Sequence, residues 1–212
     1  EESYEWLTHS MQPCHPSKEA FRVEVVDQHQ TALAKLLDLN VRVPALLTAH
    51  YLPKMLEDRA GGIVQMSSLG GFYPGPYQAH YYASKAYLNS FGEALKYEVA
   101  GTGVRVLTVA PGPVDTRIHT KMGSENALYR YVLPSLSTER VAMDTRRAYA
   151  LGRRMVVPGI MNRLMASVSG VVPRVVLLPL LALLLRPPAS RRLWQRRQDA
   201  QTVERPRETE RG

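Results

Sequence analysis

The feature that most constrains the fold is a pair of short apolar stretches with a helical pattern between them. GGIVQMSS (61–68) indicates a strand that ends in small polar residues, and VRVLTVA (104–110) is typical of a strand buried on both faces. Between them, Leu88, Leu95 and Val99 recur at helical spacing. A strand, a helix and a second strand in this order predict a parallel βαβ unit.

The regions on either side extend this unit to a larger α/β fold. Apolar residues recur at helical spacing over residues 27–56, with Pro44 inside the run, and RMVVPG (154–159) indicates a third strand. In parallel sheets, ligands bind outside the carboxyl ends of the strands. Ser67, Ser68 and residues 111–116 follow two of the predicted strands, so we expect a site there.

Composition narrows the possible partners and the compartment. Cys14 is the single cysteine of the 212 residues, which excludes an internal disulfide and fits a reducing compartment. Residues 141–212 contain 14 arginines and 5 acidic residues, but no aromatic residues interleave with them in a way that favours nucleic-acid binding. The apolar run at 175–185 is shorter than the about 20 residues that a spanning helix needs, so a buried or interfacial segment is expected.

Tyr81 and Lys85 form the first candidate pair for chemistry, in HYYASKAYLNSFGEAL (80–95). Residues four apart share one face of a helix, whereas Tyr82 is rotated by about 100°. A free tyrosine has a pKa near 10, and a nearby ammonium favours the phenolate, which allows proton transfer at neutral pH. The same spacing also occurs in helices without any catalytic role, so spacing alone leaves both interpretations open.

The surrounding sequence resembles the short-chain dehydrogenase/reductase family. The resemblance is carried by a strand ending in Ser-Ser, by Tyr-x-x-x-Lys within YYASK (81–85), by a strand ending in Pro-Gly, and by LLDLNVRVPALLTAHYLPKM (36–55) upstream. Ser68 precedes Tyr81 by 13 residues, as in the family pattern. The resemblance extends over residues 27–165.

This resemblance implies a role for each matching residue. Tyr81 would be the general acid–base, and Ser68 would hydrogen-bond the substrate oxygen. Lys85 would lower the pKa of Tyr81 and hold the nicotinamide ribose, while Asn40 would hold a water that links Lys85 to solvent. Tyr81 would also contact the cofactor. The residues that would line the nicotinamide are Pro111, Gly112, Val114 and Thr116.

Pro44 supplies an independent physical reason for the role of Asn40. Proline has no N–H, so the Asn40 carbonyl lacks its usual helical donor four residues later. That carbonyl is then available to a water molecule. A simple kink with a solvated carbonyl is the alternative interpretation.

The cofactor-binding start of the family pattern is not found. Family members begin with a strand, a Gly-rich turn and a helix that bind the pyrophosphate, and later carry an Asn-Asn-Ala-Gly turn, but neither precedes Asn40. Gly70, Gly71 and Gly75 follow a later strand and are assigned to the substrate loop. We therefore expect a chain that lacks the N-terminal cofactor-binding half, foremost as a fragment of a complete reductase. The alternatives are a truncated relative without activity and a half supplied by another chain. The choice between NAD and NADP stays open.

The predicted organisation has four parts. Residues 1–26 are an irregular N-terminal segment, and 27–165 form the C-terminal part of a Rossmann domain of the short-chain dehydrogenase type. Residues 166–186 form an apolar C-terminal helix, and 187–212 a basic, disordered tail. The fold class is α/β, with a partial Rossmann-like, doubly wound parallel sheet and flanking helices.

The predicted function is NAD(P)-dependent hydride transfer between nicotinamide and a carbonyl or alcohol substrate, with cofactor binding impaired in this chain. The alternative is a non-catalytic, truncated relative that acts as a binding protein or contacts a membrane through residues 164–186. No metal site and no nucleic-acid partner are expected. By resemblance, a homo-oligomer would form through the helix with Leu88, Phe91 and Leu95. The expected location is the cytoplasm, and the alternative is association with a membrane.

Overall fold

The computed structural model describes residues 30–115 and 135–185. Several predictions fall outside these ranges. They are the irregular segment 1–26, the basic tail 187–212, Cys14, and the cofactor role of Thr116.

The described chain forms helices and three short strands in an alternating order. The first part contains α1 (Gln30–Leu37), a π-helical turn (Asp38–Arg42), α2 (Val43–Glu57), β1 (Gly62–Met66), a 3₁₀ turn (Leu69–Phe72), α3 (Ala79–Glu98) and β2 (Arg105–Val109). The second part contains α4 (Thr138–Ala150), β3 (Met155–Val156), α5 (Ile160–Val168) and α6 (Arg174–Leu185).

The strands form one parallel sheet in the order β1-β2-β3. Ile63 lies beside Val106, and Thr108 lies beside Met155. Helix α3 connects β1 to β2, and α4 connects β2 to β3. The predicted α/β class with a parallel sheet and flanking helices is therefore confirmed.

The core lies on both faces of β2, the central strand. Val106 packs with Leu95, Val99 and Val104 in one cluster. Leu107 and Val109 pack in a second cluster with residues of α4. Since aliphatic side chains of β2 are covered on both sides of the sheet, this strand is the rigid centre of the domain.

Helix α3 presses closely against this sheet through Gly92. A β-carbon at this position would collide with the side chain of Thr108 on β2. Leu88 and Leu95 of α3 are also buried. Their side chains belong to the core of this chain, and a homo-oligomer contact through this helix stays a prediction.

The apolar C-terminal stretch forms two helices. Helix α5 ends at Val168, and α6 begins at Arg174, directly after Pro173. Buried Leu177 of α6 packs on Leu69 and Tyr73, which belong to the segment after β1. Within the described residues, no helix combines the length and the apolar character needed to cross a bilayer.

Candidate active site

The two serines after β1 have different surroundings. Ser67 is buried, and its hydroxyl donates to the carbonyl of Lys85 at 2.9 Å. The hydroxyl of Ser68 accepts a hydrogen bond from the Gly70 N–H at 3.1 Å and caps the 3₁₀ turn. Ser67 thus holds α3 against the strand, whereas Ser68 is only partly buried and keeps its hydroxyl proton for another acceptor.

Lys85 lies one turn after Tyr81 on α3. Its Nζ donates to the carbonyl of Met66 at the end of β1, at 3.0 Å, and lies 5.9 Å from the centre of the Tyr81 ring. The helical spacing predicted this proximity. The contact to Met66 fixes the ammonium at the carboxyl end of β1, where the predicted site lies.

Tyr82 lies in a different environment from Tyr81. Its ring packs with the cluster of Leu69, Tyr73 and Leu177. It also occupies the space that a side chain at Gly75 would need. Tyr82 therefore joins the loop after β1 to the C-terminal helices. Lys85 lies near the ring of Tyr81.

Burial lowers the pKa of the Lys85 ammonium from its ordinary 10.5 to about 8. Partial removal from water disfavours the charged form of an amine. At neutral pH the side chain still carries its positive charge, and it loses this charge as the pH rises above about 8. Burial has the opposite effect on the phenol of Tyr73, whose pKa is raised.

The Lys85 pKa predicts a rise of stability with pH. Between about 8 and 10.5 the unfolded chain binds more protons at this side chain than the folded chain does, so folding is favoured as the pH increases through this window. We expect urea unfolding of Lys85→Met to lack this contribution, so that the difference between wild type and variant changes across the window. A constant difference from pH 7 to 11 would contradict the assigned burial.

Asn40 lies where the first long helix changes its geometry. The Val43 N–H donates to the Asp38 carbonyl, which closes a π-helical turn, and Pro44 stands in the first turn of α2. A single π-helical turn in an α-helix is frequent at functional sites. Because Pro44 cannot donate to the Asn40 carbonyl, the wider turn accommodates the missing hydrogen bond.

The Asn40 side chain connects this turn to α3. Its Nδ2 donates to the Ser84 hydroxyl at 3.2 Å, and that hydroxyl donates to the Tyr81 carbonyl at 2.7 Å. The three groups that these two hydrogen bonds join belong to buried or half-buried residues. The contact through Ser84 was not predicted, because it joins residues 44 positions apart.

Pro111, Gly112 and Val114 follow β2 at the same edge of the sheet. The Pro111 carbonyl accepts a hydrogen bond from the Leu69 N–H at 2.8 Å, which ties the two strand ends together. Val114 forms a parallel bridge with Leu136. The structure therefore brings these residues to the segment that carries Ser68.

Asn162 is a buried residue beside Gly112 that the sequence did not single out. Its side chain fills the space where a β-carbon of Gly112 would lie, and its Nδ2 donates to the Pro158 carbonyl at 2.8 Å. Its Oδ1 is buried and has no hydrogen-bond partner among the described residues. A lone asparagine within an apolar stretch gives no sequence signal, because its contact partner lies 50 positions earlier.

A groove of about 560 Å³ runs along β1 on the side of Asn40. The polar residues Asn40, Thr48, Tyr51 and Lys85 line it, whereas the side-chain amide of Gln65 is buried beside Gly92. Val64 and Met66 of β1 are exposed. Asn40 and Lys85 thus share one concave surface, and the relay between them stays a prediction.

Comparison with known proteins identifies the family. The family described as short chain dehydrogenase matches residues 21–127, just over half of the chain. The chain belongs to the short-chain dehydrogenase family. It is 36% identical to sulfoacetaldehyde reductase 2 of Chromohalobacter salexigens over 126 residues, which are 57% of this chain and 48% of that protein.

Two further short-chain dehydrogenases illustrate the extent of the match. One from Pseudocercospora fijiensis is 40% identical over 84 residues, covering 40% of this chain and 27% of its own length. The solved structure of one from Burkholderia cenocepacia in complex with NADP has a TM-score of 0.61 at 22% identity and covers 76% of this chain and 66% of that chain. The chain thus spans less than half of these curated relatives, and the structural likeness shows the shared fold.

Short-chain dehydrogenases use a nicotinamide cofactor, and one residue predicted to hold it is placed as follows. Lys85 lines the groove, and its ammonium is held by the Met66 carbonyl at the carboxyl end of β1. The glycines after β1 do not form a phosphate cradle, because the asparagine side chain of Asn89 and the ring of Tyr82 fill the spaces beside Gly71 and Gly75. The comparisons give no support to the non-catalytic alternative.

Proposed function

We propose that this short-chain dehydrogenase is an NAD(P)-dependent oxidoreductase that interconverts a small carbonyl compound and its alcohol. The observation that carries the proposal is the Lys85 ammonium, which is fixed on the Met66 carbonyl and lies 5.9 Å from the Tyr81 ring. A phenol beside a fixed cation can exchange a proton with a substrate oxygen at neutral pH. Ser68 and Asn40 belong to the segments that surround this pair.

In the direction of reduction, Tyr81 donates its proton to the carbonyl oxygen of the substrate. The Ser68 hydroxyl donates a hydrogen bond to the same oxygen and stabilises the negative charge that develops there. Lys85 stabilises the resulting phenolate of Tyr81. Asn40 binds a water through its backbone carbonyl, and this water returns a proton from solvent by way of Lys85.

When bound, a nicotinamide cofactor supplies the hydride that adds to the carbonyl carbon. Tyr81 and Lys85 would hold its ribose, and Pro111, Gly112 and Val114 would line its nicotinamide ring. Thr116, proposed for the same ring, lies outside the described residues. We leave open whether the cofactor is NAD or NADP.

Substitution of the two neighbouring serines tests this assignment. Ser68→Ala is expected to lower kcat by about 100-fold, because the hydrogen bond to the developing oxyanion is lost. Ser67→Ala should instead lower the free energy of unfolding by about 1 kcal/mol, since a buried hydroxyl loses its bond to α3, and leave kcat of the folded protein nearly unchanged.

Because we expect cofactor binding to be impaired, NADH and NADPH are supplied in large excess. The assay follows nicotinamide absorbance at 340 nm against a panel of aldehydes and ketones, alongside calorimetric titration of each cofactor. The proposal fails if neither cofactor binds and no carbonyl compound is reduced. An equal loss of kcat in both serine variants would remove the specific role of Ser68.

A further inference from the structure

Helices α5 and α6 are anchored on one side by the segment that follows β1. Leu177 packs on Leu69 and Tyr73, and Met165 and Leu181 lie against the same cluster. The Tyr73 hydroxyl donates to the Met165 carbonyl. The two helices are therefore held in a defined orientation, so the same side chains stay exposed on their other side.

The outer side of the two helices is exposed and apolar. Val176, Leu180 and Leu183 recur at helical spacing on α6, and the last two are 52% and 61% exposed. Ile160 and Leu164 are exposed in the same way on α5. After Arg174, α6 contains no polar side chain at all, so it has no hydrophilic face for water. Exposed apolar side chains concentrated on two successive helices mark a contact with a further apolar partner.

The charges around this surface have one sign. Within residues 155–185, which contain both helices, the charged residues are two arginines. Arg163 of α5 and Arg174 at the start of α6 are exposed on the two helices themselves. Residues 186–212 add eight arginines and four acidic residues to the sequence. Such a surface complements anionic headgroups, while two copies facing each other would bring like charges together.

The length of α6 decides how it would meet a bilayer. Twelve residues of helix extend over about 18 Å, against a hydrocarbon thickness of about 30 Å. Since α6 is too short to span the bilayer and its inner side packs on the protein, its outer apolar side chains would enter the interface while the arginines stay among the headgroups.

We propose that the outer face of α5 and α6 docks on an anionic phospholipid bilayer. The face consists of Ile160, Leu164, Val176, Leu180 and Leu183, with Arg163 and Arg174 at its edge. The apolar residues enter the interface, and the two arginines bind lipid phosphates. This docking is independent of the oxidoreductase activity.

Vesicle flotation tests the docking with the full chain. We expect the protein to float with vesicles of phosphatidylcholine and phosphatidylserine, and binding to fall when phosphatidylserine is omitted or the salt concentration is raised. The double variant Leu180→Gln, Leu183→Gln should bind at least about tenfold more weakly, because two exposed leucines no longer enter the interface.

The matched control is Met143→Gln, Leu151→Gln. Met143 of α4 is 60% exposed and Leu151, just after α4, is 61% exposed, and the double variant should leave binding unchanged. Circular dichroism melts verify that both double variants fold. If the leucine variant does not fold, the double variant Arg163→Gln, Arg174→Gln tests the same loss of binding. Light scattering without lipid detects self-association. The proposal is overturned if the wild type stays unbound, if the Leu180 and Leu183 variant floats like the control, or if this face instead forms a dimer.

Discussion

Replacing Tyr81 by phenylalanine is expected to lower kcat by about 100- to 10,000-fold, the range that a positioned acid–base catalyst contributes. The aromatic ring stays, so the packing around α3 is preserved, but the proton that Tyr81 would transfer is gone. Because the substrate is held by other groups, KM should change little. Steady-state rates of nicotinamide oxidation at 340 nm give both parameters.

Tyr82→Phe is the matched control, since it makes the same chemical change one residue further along the helix. The Tyr82 ring packs with Leu69 and Tyr73, and phenylalanine retains that ring. We expect kcat to remain within a few-fold of wild type. If Tyr82→Phe lost activity and Tyr81→Phe retained it, the assignment of the acid–base residue would be wrong.

Replacing Leu107 by alanine is expected to lower the free energy of unfolding by about 2–5 kcal/mol. Leu107 is 0% exposed at the centre of β2, where both neighbouring strands and α4 leave little room for the cavity to collapse. A loss of this size is a large part of the 5–15 kcal/mol that typical domains have in total. The unfolded fraction should therefore rise measurably at 37 °C.

Leu151→Ala serves as the control for Leu107→Ala, because its side chain is 61% exposed after the end of α4. Urea unfolding of both variants measures the difference, and the control should change the free energy of unfolding by less than about 0.5 kcal/mol. Equal midpoints for the two variants would show that β2 is not the centre of the core.

The sequence predicted the elements whose patterns are local. The strands at 61–68 and 104–110 correspond to β1 and β2, because short apolar runs bounded by glycine and proline have few alternatives. Helix α3 was predicted from the spacing of its apolar residues. The nearness of Lys85 to Tyr81 followed from their separation by four positions on that helix. Pro44 predicted the local disturbance at Asn40, since its missing N–H forces some deviation from α-helical geometry.

The parts that were not predicted depend on long-range contacts or on a weak local pattern. Helix α4 is strongly charged, so its apolar stripe is narrow, although the Ser137 hydroxyl, which accepts a hydrogen bond from the Arg140 N–H, was a usable sign of its start. The contact of Asn162 with Gly112 and that of Asn40 with Ser84 join distant segments. No periodicity encodes such pairs.

Deuteride transfer tests the central claim most directly. The purified protein is incubated with NADH or NADPH that carries deuterium at the transferable position, together with aldehydes and ketones of different sizes, and the alcohols are analysed by mass spectrometry. The proposed site predicts one deuterium on the carbinol carbon for wild type and for Tyr82→Phe, and incorporation at least about 100-fold slower for Tyr81→Phe. Absence of deuterium in every alcohol, or equal incorporation by Tyr81→Phe and wild type, would contradict it.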